Sequence, residues 1–217
     1  MTDTRTCAQC GTVFEPRREH ARFCYARCRV AWNRTAMGES AGEATALEWS
    51  IIAMSDTTDR LPTVRAADRP RAFAVIGEAV WWVTIVDATL VRYHPEAYDG
   101  VLAGQDPAER VLIEGTLAGL RFVRNQIGQD VDHVGFVCPR PLAGHDDVIT
   151  EWVWKSAPEP SLTSLSPRGQ ALERERHRAY EDRLAGHTIG EVFDRAAGFL
   201  QQAAGQTALT PAVQAIP

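Results

Sequence analysis

Residues 71–94 read RAFAVIGEAVWWVTIVDATLVRYH, and how this run is read decides the fold. Its centre, WWVTIVDATLV, is rich in β-branched and aromatic residues and would suit a strand by propensity. The run is too long for an ordinary strand, and no strong turn signal breaks it. Phe73, Ile76, Val80, Val83 and Leu90 recur at heptad-like intervals, which predicts a helix. Asp68 and Pro70 mark its start and Pro95 its stop. Asp87 falls on the apolar stripe, between Val83 and Leu90. A carboxylate buried there needs a partner, whereas one at the stripe's margin reaches water.

A second helix follows a clean start signal. Asp106-Pro107-Ala108-Glu109 offers an N-cap, a proline in the first turn and a glutamate three residues on. Leu112, Leu117, Leu120, Val123 and Ile127 form its apolar stripe, helped by Val111, Ile113 and Phe122. Gly115 and Gly119 are one turn apart and predict a close helix contact. Gly128 is a C-terminal stop signal. Two long helices joined by a short segment predict an antiparallel pair at the heart of a bundle.

Outward from this pair the signals weaken. VDHVGFVCPRPLAGHDD loses periodicity and ends as a Pro/Gly-rich loop, and VITEWVWKS reads as a short strand or an extended lid. Trp152 and Trp154 there cover a core or, beside Lys155, stack a base. Residues 168–186 predict a charged helix with a thin seam of Leu172, Ala179, Tyr180 and Leu184. Thr188-Ile189-Gly190-Glu191 is a capping box that opens a last helix carrying Val192, Phe193, Ala196, Ala197, Phe199 and Leu200. The end, residues 205–217, reads as a disordered tail. Before the pair, residues 36–67 read as a linker with a short helix around Leu47, Ile51 and Met54, where Trp49 and Ile52 stand beside the apolar positions.

The N-terminus carries different chemistry. Residues 6–34 are TCAQCGTVFEPRREHARFCYARCRVAWNR, in which Cys7, Cys10, Cys24 and Cys28 form a C-x2-C pair and a C-x3-C pair. Four cysteines so spaced match a tetrahedral zinc site. A segment this short cannot bury a core, so the metal supplies its folding free energy. Gly11 permits the turn of a knuckle, Val13 and Phe14 begin a short hairpin, and Phe14 and Phe23 form a small apolar core. Cys24 and Cys28 share a helical face that continues through Val30, Ala31 and Trp32 and leaves Arg27, Arg29 and Arg34 outward. Knuckle, hairpin and helix resemble a treble-clef or ribbon-type finger ending F-C-x3-C-R-x-A-x2-R. His20, between the pairs, is an alternative ligand that four cysteines make unnecessary. Cys138 has no nearby cysteine and reads as a small buried side chain.

Charge divides the chain in the same place. Residues 1–35 carry a net +4 and residues 36–217 a net −9. A basic finger on an acidic body fits nucleic acid, RNA or DNA, meeting the finger, although +4 is a small patch for phosphate binding. No uninterrupted apolar run reaches the length of a membrane span, since Glu78 and Asp87 interrupt the richest stretch. MTDTRTCAQC lacks the features of a secretory signal, and the expected location is cytoplasmic, where thiolates stay reduced and favour metal. No phosphate-binding glycine loop, G-x-S-x-G or H-E-x-x-H is present. His145-Asp146-Asp147 sits in a Pro/Gly loop without further ligands.

The second long helix ends in GLRFVRNQIGQDVDH, which resembles the terminal motif of HEPN domains, an α-helical family with R-polar-x(3–5)-H at the end of its last core helix. The resemblance implies a dimer whose facing Arg and His cleave RNA without metal, often in toxin or phage-defence systems. Arg124 and Asn125 match the first positions. Gln129 stands where the histidine is expected and His133 lies nine residues after Arg124, beyond the usual window. Gln cannot act as general acid or base, but with Arg124 and Asn125 it can bind phosphate or bases. An ion pair of Arg124 with Asp87 is the alternative that needs no function.

The sequence therefore predicts a mainly α protein. A zinc finger at 1–35, made of a short β-hairpin and a helix, is joined by the linker 36–67 to an α-helical bundle at 68–204. The expected function is recognition of nucleic acid or a protein partner through the finger, with a body that docks or forms a homodimer and does not enter a membrane. A metal-independent ribonuclease using Arg124, Asn125 and either Gln129 or His133 is the alternative.

Overall fold

The computed structural model describes residues 4–16, 21–25, 27–29, 32, 41–65, 67–129, 133–141, 150–160, 162–163 and 165–209. By its internal contacts the chain divides into two compact units, residues 1–48 and 49–217.

In the first unit β1 (Arg5–Thr6) pairs antiparallel with β2 (Val13–Phe14), with Arg5 opposite Phe14 and Thr6 opposite Val13. Residues 27–29 and 32 are helical. Phe14 and Phe23 are only half-buried, and the ring of Phe23 meets Trp32 at 6.0 Å. Helix α1 (Ala41–Arg60) begins in this unit and ends in the next. Where the sequence suggested a short helix in a polar linker, α1 runs twenty residues. The Ala-rich start of that segment is a good helix former, and its one glycine costs only about 1 kcal/mol.

The second unit is built on α2 (Arg69–Tyr93) and α4 (Pro107–Gln129), the long pair that periodicity predicted. Asp68 caps α2 by accepting from the Arg71 N–H at 3.1 Å. Ile76, Val80, Val83 and Leu90 are buried as expected, joined by Val75, Ala79 and Val86. By length and composition α2 is apolar enough to cross a membrane; half of that window is buried against the rest of the unit. The connection between the pair holds a further helix, α3 (Pro95–Ala103), because Pro95 ends one helix and opens the next. Asp106 caps α4 through the Ala108 N–H at 2.9 Å. Glu109 does not close the capping box but pairs with Arg195 at 3.4 Å. Val111, placed by the sequence beside the stripe, is half exposed.

Segment 133–136 is a 3-10 turn, and the supposed loop after it is strand β3 (Val137–Pro141), paired antiparallel with β4 (Thr150–Trp154) from Val137–Trp154 to Pro141–Thr150. Trp152 and Trp154 are both buried, so they cover a core. The Trp152 Nε1–H donates to the Val64 carbonyl at 3.2 Å. Ser166 caps α5 (Pro167–Arg183) by accepting from the Gly169 N–H at 3.3 Å.

Helix α5 packs most extensively on α4, and the two glycines explain why. A Cβ on Gly119 would lie 2.6 Å from Leu184 Cδ1 and 3.1 Å from the Tyr180 Cα. Tyr180 and Leu184 are fully buried, but Leu172 of the predicted seam is exposed and Glu173 beside it is buried. Tyr180 meets Phe122 at 5.4 Å, Phe136 at 5.7 Å and Trp154 at 6.2 Å, the aromatic centre of the core. Its hydroxyl donates to the Lys155 carbonyl. The Thr188–Glu191 capping box forms as predicted, with reciprocal bonds of 3.1 and 3.0 Å, and opens α6 (Ile189–Leu209). All six predicted core residues of α6 are buried. The helix continues past Gly205 to Leu209, into the segment read as tail.

Candidate metal centre

Cys7 follows β1 and Cys10 closes a turn in which the Gly11 N–H donates to the Cys7 carbonyl at 3.0 Å. Gly11 has φ +70°, a conformation that costs a residue with a Cβ about 1 kcal/mol or more. The Cys7 N–H donates to the Thr12 carbonyl at 2.9 Å, holding the knuckle closed. The Ala8 N–H donates to the Arg22 carbonyl at 3.0 Å, which brings the segment carrying Cys24 against the knuckle. Cys24 precedes the helical turn and Cys28 lies within it, with the Cys28 and Arg29 N–H groups both donating to the Tyr25 carbonyl at 3.1 and 3.3 Å.

These elements converge on one point. All four sulfurs lie within 4.8 Å of one another. Cys10 to Cys24 is 3.5 Å, Cys24 to Cys28 is 3.5 Å and Cys10 to Cys28 is 3.8 Å. A tetrahedral ion with sulfur at about 2.3 Å needs edges of about 3.8 Å. The donor set fits a tetrahedral thiolate-bound metal ion. Outer groups are in place too: the Cys24 N–H points to Cys7 Sγ at 3.4 Å, and Thr12 Oγ1 lies 3.3 Å from Cys10 Sγ, where its hydroxyl donates to a thiolate.

The same crowding splits the thiols. Burial raises Cys7, but the N–H groups of Cys24, Cys10 and Gln9 outweigh it and bring the thiol down to about 6. Thr12, through hydroxyl and N–H, lowers Cys10. Burial and the neighbouring sulfurs push Cys24 up to about 12. For Cys28 the bond to Cys24 lowers the thiol, but burial and the bonds to Cys10 and Cys7 leave it raised. Four sulfurs this close cannot all carry charge without a cation at their centre. A divalent ion removes that conflict and takes all four as thiolates.

Around the sulfurs Arg27 and Arg29 are exposed, as the sequence placed them, and Tyr25 beside them is 65% exposed. Arg34 and His20 lie outside the described residues, as does His145. Tyr25 and Thr12 were missed by sequence reasoning. Thr12 follows Gly11 in the knuckle, and Tyr25 sits between two ligands; both positions were legible as near the metal but not as contributors.

Of the second group of candidates, the two with described side chains, Arg124 and Asn125, point apart. Arg124 is exposed, and its guanidinium sits 5.0 Å from the ring centroid of Trp81 on α2. Asn125 turns the other way and donates to Glu173 Oε2 on α5 at 3.0 Å. Gln126 donates to the other Glu173 oxygen at 3.4 Å, and Arg176 lies 3.5 Å away, so this buried carboxylate is satisfied. Gln129 ends α4 and His133 opens the next turn; their side chains lie outside the described residues.

The proposed Arg124–Asp87 pair is corrected by one turn. Asp87, 1% exposed, is held by Arg121, with Nε to Oδ2 at 2.6 Å and Nη2 to Oδ1 at 2.8 Å. The Tyr98 hydroxyl of α3 donates to Oδ1 at 3.0 Å. Burial and the Asp87 charge both push the Tyr98 phenol well above its usual range. Burial alone would lower Arg121, but its bonds to Asp87 raise it on balance. Arg121 rather than Arg124 faces Asp87 because α2 and α4 cross in that register. No family model matches this chain, and comparison with curated proteins and with solved structures finds no match.

Proposed function

We propose that this is a zinc-binding protein whose N-terminal finger recognises nucleic acid, with the helical unit as its docking or dimerising body. One observation carries the reading. The four-sulfur group fixes a turn of helix from which Arg27 and Arg29 project into solvent, with no ion pair for either among the described residues. Two solvent-exposed guanidinium groups on a metal-rigidified scaffold suit phosphate contacts, because their geometry is paid for by the metal rather than by binding. Zinc is the ion of choice for four thiolates in a tetrahedron, and a reducing cytoplasm keeps them available.

The test is titration of the zinc-loaded full chain against labelled RNA and DNA at low salt. Arg27→Ala and Arg29→Ala each weaken binding, and affinity falls as salt rises. Absence of binding to either polymer at low salt eliminates the reading and leaves the finger as a protein-interaction module, detected by co-purification of a stable partner.

A ribonuclease is the second reading, and Arg124 favours it: the side chain is exposed and makes no ion pair among the described residues. It expects RNA cleavage in EDTA that Arg124→Ala abolishes. Sedimentation of the purified chain measures the homodimer that either reading uses.

A further inference from the structure

Tyr25 is the most conspicuous side chain of the finger that the reading above leaves unused. It is 65% exposed, yet its backbone is tied into the turn that carries Cys28. The residue follows the ligand Cys24 directly, and its carbonyl accepts the N–H groups of Cys28 and Arg29. A large ring is therefore presented to water from a hydrogen-bonded turn. The Arg27 guanidinium lies 5.1 Å from the ring centroid. A single guanidinium covers one face of such a ring, and Arg29 is exposed four residues along from Tyr25. A second arginine–aromatic stack stands in the same module, with Arg22 at 5.5 Å from the Trp32 ring and 5.9 Å from that of Phe23.

Charge sets what kind of nucleic acid such a surface can hold. The net charge of residues 1–35 is +4. Proteins that grip duplex DNA through its backbone neutralise about six to ten phosphates, so phosphate contacts alone leave this finger weak. Duplex bases keep their faces stacked on one another, and a protruding aromatic ring gains nothing from them. Unpaired bases expose those faces, and an aromatic platform flanked by arginines is the surface that single strands use.

Resting on the reading that the finger binds nucleic acid, we infer that its ligand is single-stranded, with one unpaired base stacked on Tyr25 and the adjoining phosphates on Arg27 and Arg29. The polymer is recognised by its exposed base faces, which RNA and single-stranded DNA share. Tyr25 is a contact residue and not a metal ligand, so the site is separable from the fold of the finger.

Fluorescence anisotropy on the zinc-loaded full chain tests this with a labelled 12-mer RNA, the same sequence as single-stranded DNA, and the corresponding duplex. The single strands bind more tightly than the duplex. Tyr25→Ala lowers single-strand affinity by about tenfold while zinc content stays at wild-type level, and Tyr25→Phe stays within about twofold, because the ring and not the hydroxyl does the stacking. A small slope of log affinity on log salt, about 1–2, accompanies this, as expected for two phosphate contacts on a single strand. Tighter binding of the duplex overturns the inference, as does a Tyr25→Ala variant that binds single strands like wild type. If Arg27→Ala still weakens binding in that case, the nucleic-acid reading survives without the stacking site. No binding to any of the three ligands ends both.

Discussion

The two units of this chain differ in what they bury. Of the described residues among the first 35, only Cys7 and Cys28 are buried, and both are candidate ligands. The helical unit buries whole stripes of Val, Leu, Ile and Phe, with Tyr180, Phe122, Phe193 and Trp154 at its centre. Apolar burial at about 25 cal/mol per Å² stabilises the second and has little to act on among the described residues 4–32 of the first. On the proposed zinc reading, the comparison teaches that one chain can place its stability in a handful of coordinate bonds at one end and in distributed packing at the other. Perturbations should therefore separate the units cleanly.

The sharpest break is metal removal. A strong chelator, or Cys24→Ser, removes the apparent 10–16 kcal/mol or so that a structural zinc supplies and unfolds residues 1–35, while the helical unit keeps its thermal transition. Amide exchange resolved by segment reads both at once; simultaneous loss of the bundle would refute the division. On the proposed zinc reading, uptake of the ion releases protons, chiefly from Cys24 and Cys28, whose thiols stand above the usual range, so affinity falls as pH falls. Calorimetry in buffers of different ionisation enthalpy measures the proton count.

Next in size is the buried carboxylate. Arg121→Ala leaves the buried Asp87 carboxyl with only the Tyr98 hydroxyl, at a cost of about 3 kcal/mol; this is the low end for such a loss, since Arg121 retains 34% of its exposure. Arg124→Ala, which removes only a surface stack on Trp81, costs about 1 kcal/mol or less. Urea denaturation of the two variants side by side decides it, and equal losses would mean that the register described here is wrong. This loss leaves the finger's zinc content untouched.

The glycines come third. Gly119→Ala drives a methyl into Leu184 and the Tyr180 backbone and costs about 1–3 kcal/mol. Gly115→Ala meets only the flexible side chain of Arg183, at 2.7 Å from its Cγ, and a gain in helix propensity of about 1 kcal/mol offsets the adjustment. The smallest expected effect is at the α6 cap. Glu191→Ala lowers stability by about 1 kcal/mol. The Thr188 N–H lowers the Glu191 carboxyl, so its contribution is present above the usual glutamate pKa of about 4.3 and is lost as pH falls through the lower folded value. The difference in Tm between wild type and Glu191→Ala should shrink in acid.

What the sequence disclosed, and what it hid, follows the range of each signal. Local rules worked: the 3.6-residue period gave α2 and α4, the Thr188–Glu191 box gave α6, and cysteine spacing gave the four-sulfur group. Gly115 and Gly119 announced a close contact but not its partner, because the spacing describes one helix's surface and not the element that meets it. The seam of α5 was misplaced by one residue, Glu173 for Leu172, since a carboxylate bonded by Asn125 and Gln126 is as buriable as leucine and no periodicity scale says so. Strand β3 was hidden behind its prolines, which edge strands tolerate. Arg124 was matched to Asp87 because one turn separates it from Arg121, and helix periodicity cannot distinguish residues one turn apart.

Asp87 has a consequence for how the body comes together. Its oxygens are claimed by α4 and α3 at once, through Arg121 and Tyr98. An intermediate in which α2 and α4 have collapsed without α3 strands a carboxylate in an apolar wall with half its complement. One in which α3 closes first offers a phenol but no counter-charge. The three helices are thereby bound to a common fate, and the stretch from 69 to 129 should open and close as a single cooperative block.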